Sequence, residues 1–170
     1  MKTGNSLNIQ LKHYEDSHTE SLLSYQLPAE QTPFTALPET VFKRIKTRNA
    51  QGVFTAIPVS ILSQDRAIGL FVLDSGPDLD LWTENTHAVF LRSLSVNPAF
   101  QGQGIGTMAM QSLPEFIARH IPELSINEIV LGVNRENKRA QKLYNKIGFK
   151  EYGFNMNPPF VGQIIMKWRL

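Results

Sequence analysis

The 170-residue chain has no cysteine, which removes disulfides, thiolate metal sites and a cysteine nucleophile together. It also lacks an excess of either charge. Seventeen Lys and Arg stand against fifteen Asp and Glu, a net +2 with histidine neutral, too little for the electrostatic footprint of a nucleic-acid binder. No run approaches the roughly 18 apolar residues of a membrane span. The opening Met1, Lys2, Thr3, Gly4, Asn5 and Ser6 is polar where a signal peptide would be apolar. The four histidines, His13, His18, His87 and His120, are scattered without metal-ligand spacing. The expectation is a cytoplasmic protein with no metal and neither nucleic acid nor membrane as partner. What is present is 42% hydrophobic residues with only 19% charged, enough apolar material for one sizeable core in a single domain over 1–170.

Leu7, Ile9 and Leu11 alternate with polar residues, the period of a half-buried strand, and Asp16 or Ser17 is placed to cap a short helix through Leu22, Leu23 and Leu27. Pro28 and Pro33 oppose continuous helix until Pro38, which suits a first helical position ahead of Val41, Phe42 and Ile45, so a second helix is expected near 38–48. Two β-rich runs, Val53–Leu62 and Ala67–Leu73, flank a hairpin-length connection, Ser63 to Arg66. Pro58 inside the first run marks an edge strand or a bulge. An acidic loop from Asp74 through Asp78 and Asp80 leads to a strand from about His87 to Val96. From Gly104 onward Ile105, Met108, Ala109, Leu113, Phe116 and Ile117 recur at helical spacing, with Pro114 imposing a kink or a break. Ile129–Val133 reads as a buried strand. Ala140, Leu143, Tyr144 and Ile147 read as a helix stripe stopped by Gly148, and two strands near 149–154 and 163–169 close the chain. The order gives an α/β (α+β) domain with a mixed central sheet of about six to seven strands flanked by about four helices.

The chemistry concentrates in Leu94 to Thr107, where a strand meets a helix through glycines at 102, 104 and 106. The first N–H groups of a helix have no intrahelical partner and point outward, so this junction is a ready anion site, and glycines let a pyrophosphate approach without Cβ interference. Gly104, Gly106 and Ala109 also satisfy the G-x-G-x-x-A pattern of dinucleotide folds. Context opposes that reading. Nearly a hundred residues precede the motif, and Glu123 and Glu128 fall before or at the start of the next expected strand rather than at its end. No Gly-Lys-Ser/Thr follows, which excludes a Walker loop.

Gln101, Gly104 and Gly106 fill Q-x-x-G-x-G. Asn137, Ala140, Leu143, Tyr144, Gly148 and Phe149 fill N-x-x-A-x-x-L-Y-x-x-x-G-F. In both motifs and their order the chain resembles the GNAT superfamily of N-acetyltransferases, well from about Ala67 to Lys150 and in outline elsewhere. The resemblance implies acetyl-CoA as co-substrate and transfer of its acetyl group to a primary amine of a small molecule or polypeptide by direct attack on the thioester. It implies that Leu94 and Val96, with Ser95 between them, offer backbone to the pantetheine arm. Gly102, Gln103, Gly104, Gly106 and Thr107 would surround the pyrophosphate, with Gln101 and Ile105 completing the loop, and Asn137 would use its amide on the pantetheine chain. Tyr144 would be the general acid for the departing thiolate. An ordinary phenol titrates near 10, so a basic-side decline in kcat is expected from it.

Some relatives carry a glutamate where this chain has Gly132. That leaves Glu84, His87 or bound water to take the amine's proton. Arg135, Lys138, Arg139, Lys142 and Lys146 read as a solvated basic helix face, with the coenzyme's 3′-phosphate as the alternative. The acidic stretch Asp74, Asp78, Asp80 and Glu84 reads as an amine attractor or a hairpin tip. The C-terminal strand is a candidate homodimer edge. Two competing functions follow: a non-catalytic acetyl-CoA-binding regulatory module, kept open by Gly132, and a dinucleotide-dependent oxidoreductase.

Overall fold

A two-residue turn sets the register of the sheet. Gln64 and Asp65 have φ of 49° and 64°, the paired left-handed conformation whose twist matches the strands it joins. They connect β2 (Thr55–Ser63) to β3 (Arg66–Ser75). In this computed structural model, which describes residues 7–170, β1 (Ile9–His13) adds antiparallel to β2, and β4 (Ala88–Val96) adds antiparallel to β3. The parallel step comes next, β4 to β5 (Glu128–Val133). β6 (Lys150–Phe154) and β7 (Ile164–Arg169) complete a seven-stranded mixed sheet of order β1-β2-β3-β4-β5-β7-β6.

Five helices accompany the sheet among the described residues: α1 (Thr19–Leu23), α2 (Pro38–Asn49), α3 (Ile105–Gln111), α4 (Leu113–His120) and α5 (Lys138–Ile147). Side chains of β3 divide between two cores, as a pleated strand buried on both faces requires, with the alternation reset where the register against β2 slips between Ile61 and Leu62. Ile68, Phe71 and Leu73 pack with Ile105, Met110, Leu113 and Tyr144, whereas Ala67, Leu70 and Val72 pack with Leu22 and Val41 from the other side. A third, smaller cluster gathers Leu79, Trp82, Ala88, Phe90 and Val130.

Several expectations change in detail. The polar stretch 1–6 lies outside the described residues. Neither Asp16 nor Ser17 caps α1; a 3-10 turn over Asp16–His18 precedes it, boxed by Glu15 and His18, and the helix ends at Leu23, leaving Leu27 buried in the following loop. Pro58 sits on an interior strand and not at a bulge. β1 ends opposite Val59, so the missing N–H falls where only Tyr14 N–H still reaches the Pro58 carbonyl, at 3.0 Å. Pro114 produces a break at Ser112, because its ring cannot donate to the preceding turn, and it becomes an early residue of α4. Asp74 belongs to β3 and is 1% exposed, not part of an open acidic loop. The C-terminal strand β7 has β5 on one edge and β6 on the other. It has no free edge for a dimer, and the free edge on that side is β6.

Candidate active site

β4 and β5 pair only at Ala88–Glu128, Val89–Ile129 and Phe90–Val130. Beyond them the strands diverge. The extra residue of a bulge lies on β4, where Ser93 takes φ 61° and the register against β3 slips between Leu70 and Val72. A bulge bends its strand and unpairs backbone, so the wedge between Leu91–Val96 and Leu131–Val133 becomes the floor of a cleft of about 390 Å³.

The glycine loop forms one wall. Gly102 and Gly104 have φ of 77° and 78°, and a Cβ at either would meet nothing within 4 Å, so both face open space in the left-handed conformation that glycine tolerates. Gly104 is the N-cap of α3 and no side chain caps that helix. Its first N–H groups therefore remain available to an anion. Gly106 is needed for a different reason: a Cβ there would stand 2.9 Å from Leu143 Cδ1, so it permits α3 to lie close against α5.

Leu94, Ser95, Val96, Gln101, Gly102, Gly104, Ile105, Gly106, Thr107, Asn137 and Tyr144 all line this cleft. Gln103 does not. Its side chain turns outward to Ala99 O at 3.4 Å and the residue is exposed. Asn137 has a structural duty as well, since its Oδ1 accepts from Ala140 N at 3.2 Å as the N-cap of α5, leaving its amide N–H₂ for a ligand. Gln101 is a brace. Its Nε2 donates to Val96 O at 2.8 Å, it exchanges two side-chain hydrogen bonds with Gln31, and its Oε1 accepts from Arg139 at 3.2 Å.

Tyr144 is buried on α5, edge-on to Phe149 at 5.3 Å between ring centres. Loss of solvent pushes its phenol well above the ordinary value, because burial disfavours the phenolate. Tyr25 is pushed up to about 12 by the same cause, partly offset by its 2.9 Å hydrogen bond with Ser95.

Neither Glu84 nor His87 lines the cleft. Glu84 opens on a separate depression with Asp80 and Tyr152, and His87 is exposed just before the start of β4. Among the described residues the cleft carries no carboxylate and no imidazole, and its titratable residues are Arg92, Arg139 and Tyr144. Gly132 explains part of this. A Cβ there would overlap the Trp82 ring and lie 2.6 Å from Gln163 Oε1, so the indole occupies the room a side chain would need. Gly132→Ala is accordingly expected to destabilise the fold by about 1–3 kcal/mol, the range of core overpacking. Urea denaturation checks it, and an unchanged midpoint would show that Trp82 yields freely.

Of the basic cluster Arg135, Lys138, Arg139, Lys142 and Lys146, Arg139 alone reaches the cleft; Arg135 lies over the Phe154 ring at 4.8 Å, and Lys138, Lys142 and Lys146 are exposed. His13 and His120 come together around Phe116, with ring centres 5.6 Å apart. Among the described residues no group of three or more possible metal ligands gathers, and no helix is long and apolar enough to cross a membrane. Sequence reasoning missed Gln31, Phe34 and Thr35, which border the cleft from the loop before α2. Their only sequence signal was the prolines that hold that loop out of helix.

A profile of the Acetyltransferase (GNAT) family matches residues 19–149. The uncharacterized N-acetyltransferase YbbJ of Bacillus subtilis (strain 168) is 34% identical over 160 residues, covering 94% of this chain and 96% of its own. Among solved structures, aminoglycoside acetyltransferase AAC(6')-Ib in complex with coenzyme A and kanamycin superposes with a TM-score of 0.73 at 20% identity, over 95% of each chain. The ribosomal-protein-S5-alanine acetyltransferase of Vibrio fischeri gives 0.65 at 14%, over 95% of this chain and 92% of that one. With the splayed strands, the uncapped glycine loop and the tyrosine in one cleft, the chain belongs to the acetyltransferase (GNAT) family and is an N-acetyltransferase that moves an acetyl group from acetyl-CoA to an amine.

Proposed function

We propose that acetyl-CoA lies along the β4–β5 wedge with its pyrophosphate on the N–H groups that open α3, and that Tyr144 protonates the departing thiolate. The observation that carries this reading is the single cleft in which the unpaired strand ends, the two open left-handed glycines and the buried tyrosine meet. Leu94 and Val96 are the β4 positions offered to the pantetheine arm, although the Val96 carbonyl is already held by Gln101. The Asn137 amide completes that side. Arg139, at the cleft wall, is the one basic residue of its cluster suited to a coenzyme phosphate. Direct attack by the amine needs no covalent enzyme intermediate, and the cleft supplies no nucleophile of the cysteine type.

The amine must lose a proton before it attacks, and no carboxylate or imidazole in the cleft can accept it. Water takes this role in the proposed mechanism. The acid limb of kcat/KM should then follow the acceptor's own pKa: the protonated amine is inert, and the rate rises as pH approaches that pKa. Two acceptors whose ammonium pKa values differ by about one unit should show limbs displaced by the same amount. A limb that stays fixed for both acceptors would assign the proton to an enzyme group instead. The acetyl transfer itself is tested by thiol release from acetyl-CoA with a panel of amines. Acetyl-CoA binding without turnover of any amine would favour the regulatory-module reading.

A further inference from the structure

A second cavity, of about 270 Å³, adjoins the coenzyme cleft and shares Phe34, Thr35, Leu91, Arg92, Ser93 and Gly132 with it. Its wall holds three guanidinium groups, Arg44, Arg48 and Arg92, against one carboxylate, Asp74. The carboxylate is committed inside the wall. Asp74 is 1% exposed, with Oδ2 2.7 Å from Arg48 Nε and 2.9 Å from Arg92 Nε, and both of its oxygens are sealed from solvent without an aligned hydrogen bond. Burial pushes Asp74 up, opposed by the two arginines. Asp78 takes the far side of Arg48 at 3.1 Å. Two aspartates thus offset two arginines, and Arg44, exposed and in no ion pair among the described residues, remains as a net positive charge on the cavity.

Arg92 is the group at the junction. Its stem is fixed by Asp74, its guanidinium lies 4.6 Å over the Phe90 ring, and its side chain keeps 28% exposure. A guanidinium held at Nε by Asp74, with Asp78 Oδ2 4.0 Å from Nη2, and stacked on an aromatic face presents its outer donors in a fixed direction, which suits a carboxylate. The rest of the cavity is aromatic: Trp82 packs on Phe90 at 4.8 Å and on Phe160 at 5.0 Å between ring centres. The volume lies below the roughly 300–1,000 Å³ of pockets for drug-sized ligands.

We infer that the acceptor is a small amine that also bears a carboxylate and an apolar or aromatic body, the carboxylate held by Arg92 and Arg44 and the body lying against Trp82, Phe90 and Phe160. The inference rests on the acetyl-transfer reading of the adjoining cleft. It runs against polycationic acceptors such as aminoglycosides and polyamines, because a cavity of net positive charge repels them and its one carboxylate is buried.

Matched acceptors that differ only in the carboxylate test it: phenylalanine against phenethylamine and leucine against isoamylamine, with spermidine and kanamycin alongside. Thiol release would be measured with rates referred to the free-base fraction of each amine. The expected result is a kcat/KM at least about tenfold higher for each aminocarboxylate, equivalent to one retained ion contact of about 1.4 kcal/mol. Arg44→Gln, an exposed position, should reduce that preference several-fold through the KM of the aminocarboxylate, with the melting temperature unchanged. Arg92→Gln should reduce it further, through KM. Equal or better turnover of the amines lacking a carboxylate, or preference for spermidine or kanamycin, would overturn the inference and leave acetyl transfer standing. Acetyl-CoA binding by calorimetry without turnover of any amine would sink both the inference and the catalytic reading. Absence of acetyl-CoA binding would sink the cleft assignment itself.

Discussion

Replacing Tyr144 with Phe should lower kcat at least tenfold while leaving acetyl-CoA affinity and thermal stability nearly unchanged. General acids contribute typically about 10²–10⁴-fold, because collapse of the tetrahedral intermediate expels a thiolate that a positioned proton stabilises. Phenylalanine preserves the ring and its edge-on packing against Phe149, so the variant removes the proton and little else. Burial sharpens the pH prediction. A phenol pushed above its ordinary value stays protonated through the whole working range, so wild-type kcat should show no basic-side decline from Tyr144 below about pH 10. The decline expected from an unperturbed phenol moves upward and out of reach. Single-turnover rates with saturating acetyl-CoA and amine check the assignment; an unchanged rate, with chemistry rate-limiting, would reduce Tyr144 to a packing residue.

Gly104→Val should weaken acetyl-CoA binding at least about 100-fold. Two charge-assisted hydrogen bonds from the start of α3, worth roughly 1.5–3 kcal/mol each, would be displaced by the branched side chain. The substitution also strains the backbone, since Gly104 has φ 78° and a left-handed residue other than glycine costs roughly 1–2 kcal/mol. Gly52 separates the two effects. It has φ 74°, a Cβ there also meets nothing within 4 Å, and it follows α2 away from the cleft. Gly52→Val should therefore lose similar stability and no affinity. Calorimetry on both folded variants decides, and equal affinities in the two would remove the pyrophosphate from the glycine loop.

Local features were legible in the sequence where one short-range rule governs them. Pro38 starts α2, Gly148 stops α5, and the two residues between Ser63 and Arg66 turn β2 into β3. Gln101, Gly104 and Gly106 mark the loop because their spacing follows from backbone geometry alone. For Gln103 the same rule stops short: a motif position says that a residue lies on the loop, not which way its side chain turns, and here it turns to Ala99 O. Glu84 and His87 were weighed by chemical type, and nothing local says that β4 carries the cleft at its other end.

The sequence by itself determined the family, the α/β class, the order of nearly all the elements and the position of the glycine loop. These depend on periodicity, caps and spaced motifs, which are properties of neighbours along the chain. The tertiary structure decided what depends on residues far apart in sequence. It set β7 between β5 and β6, which removed the C-terminal strand as a dimer edge. It drew Asp74 out of a supposed acidic loop and between Arg48 and Arg92. It also put the Trp82 ring where a side chain at position 132 would stand. Charge and shape at the acceptor cavity come from long-range packing of β3, β4, α2 and the 155–163 loop, so no local pattern could have carried them.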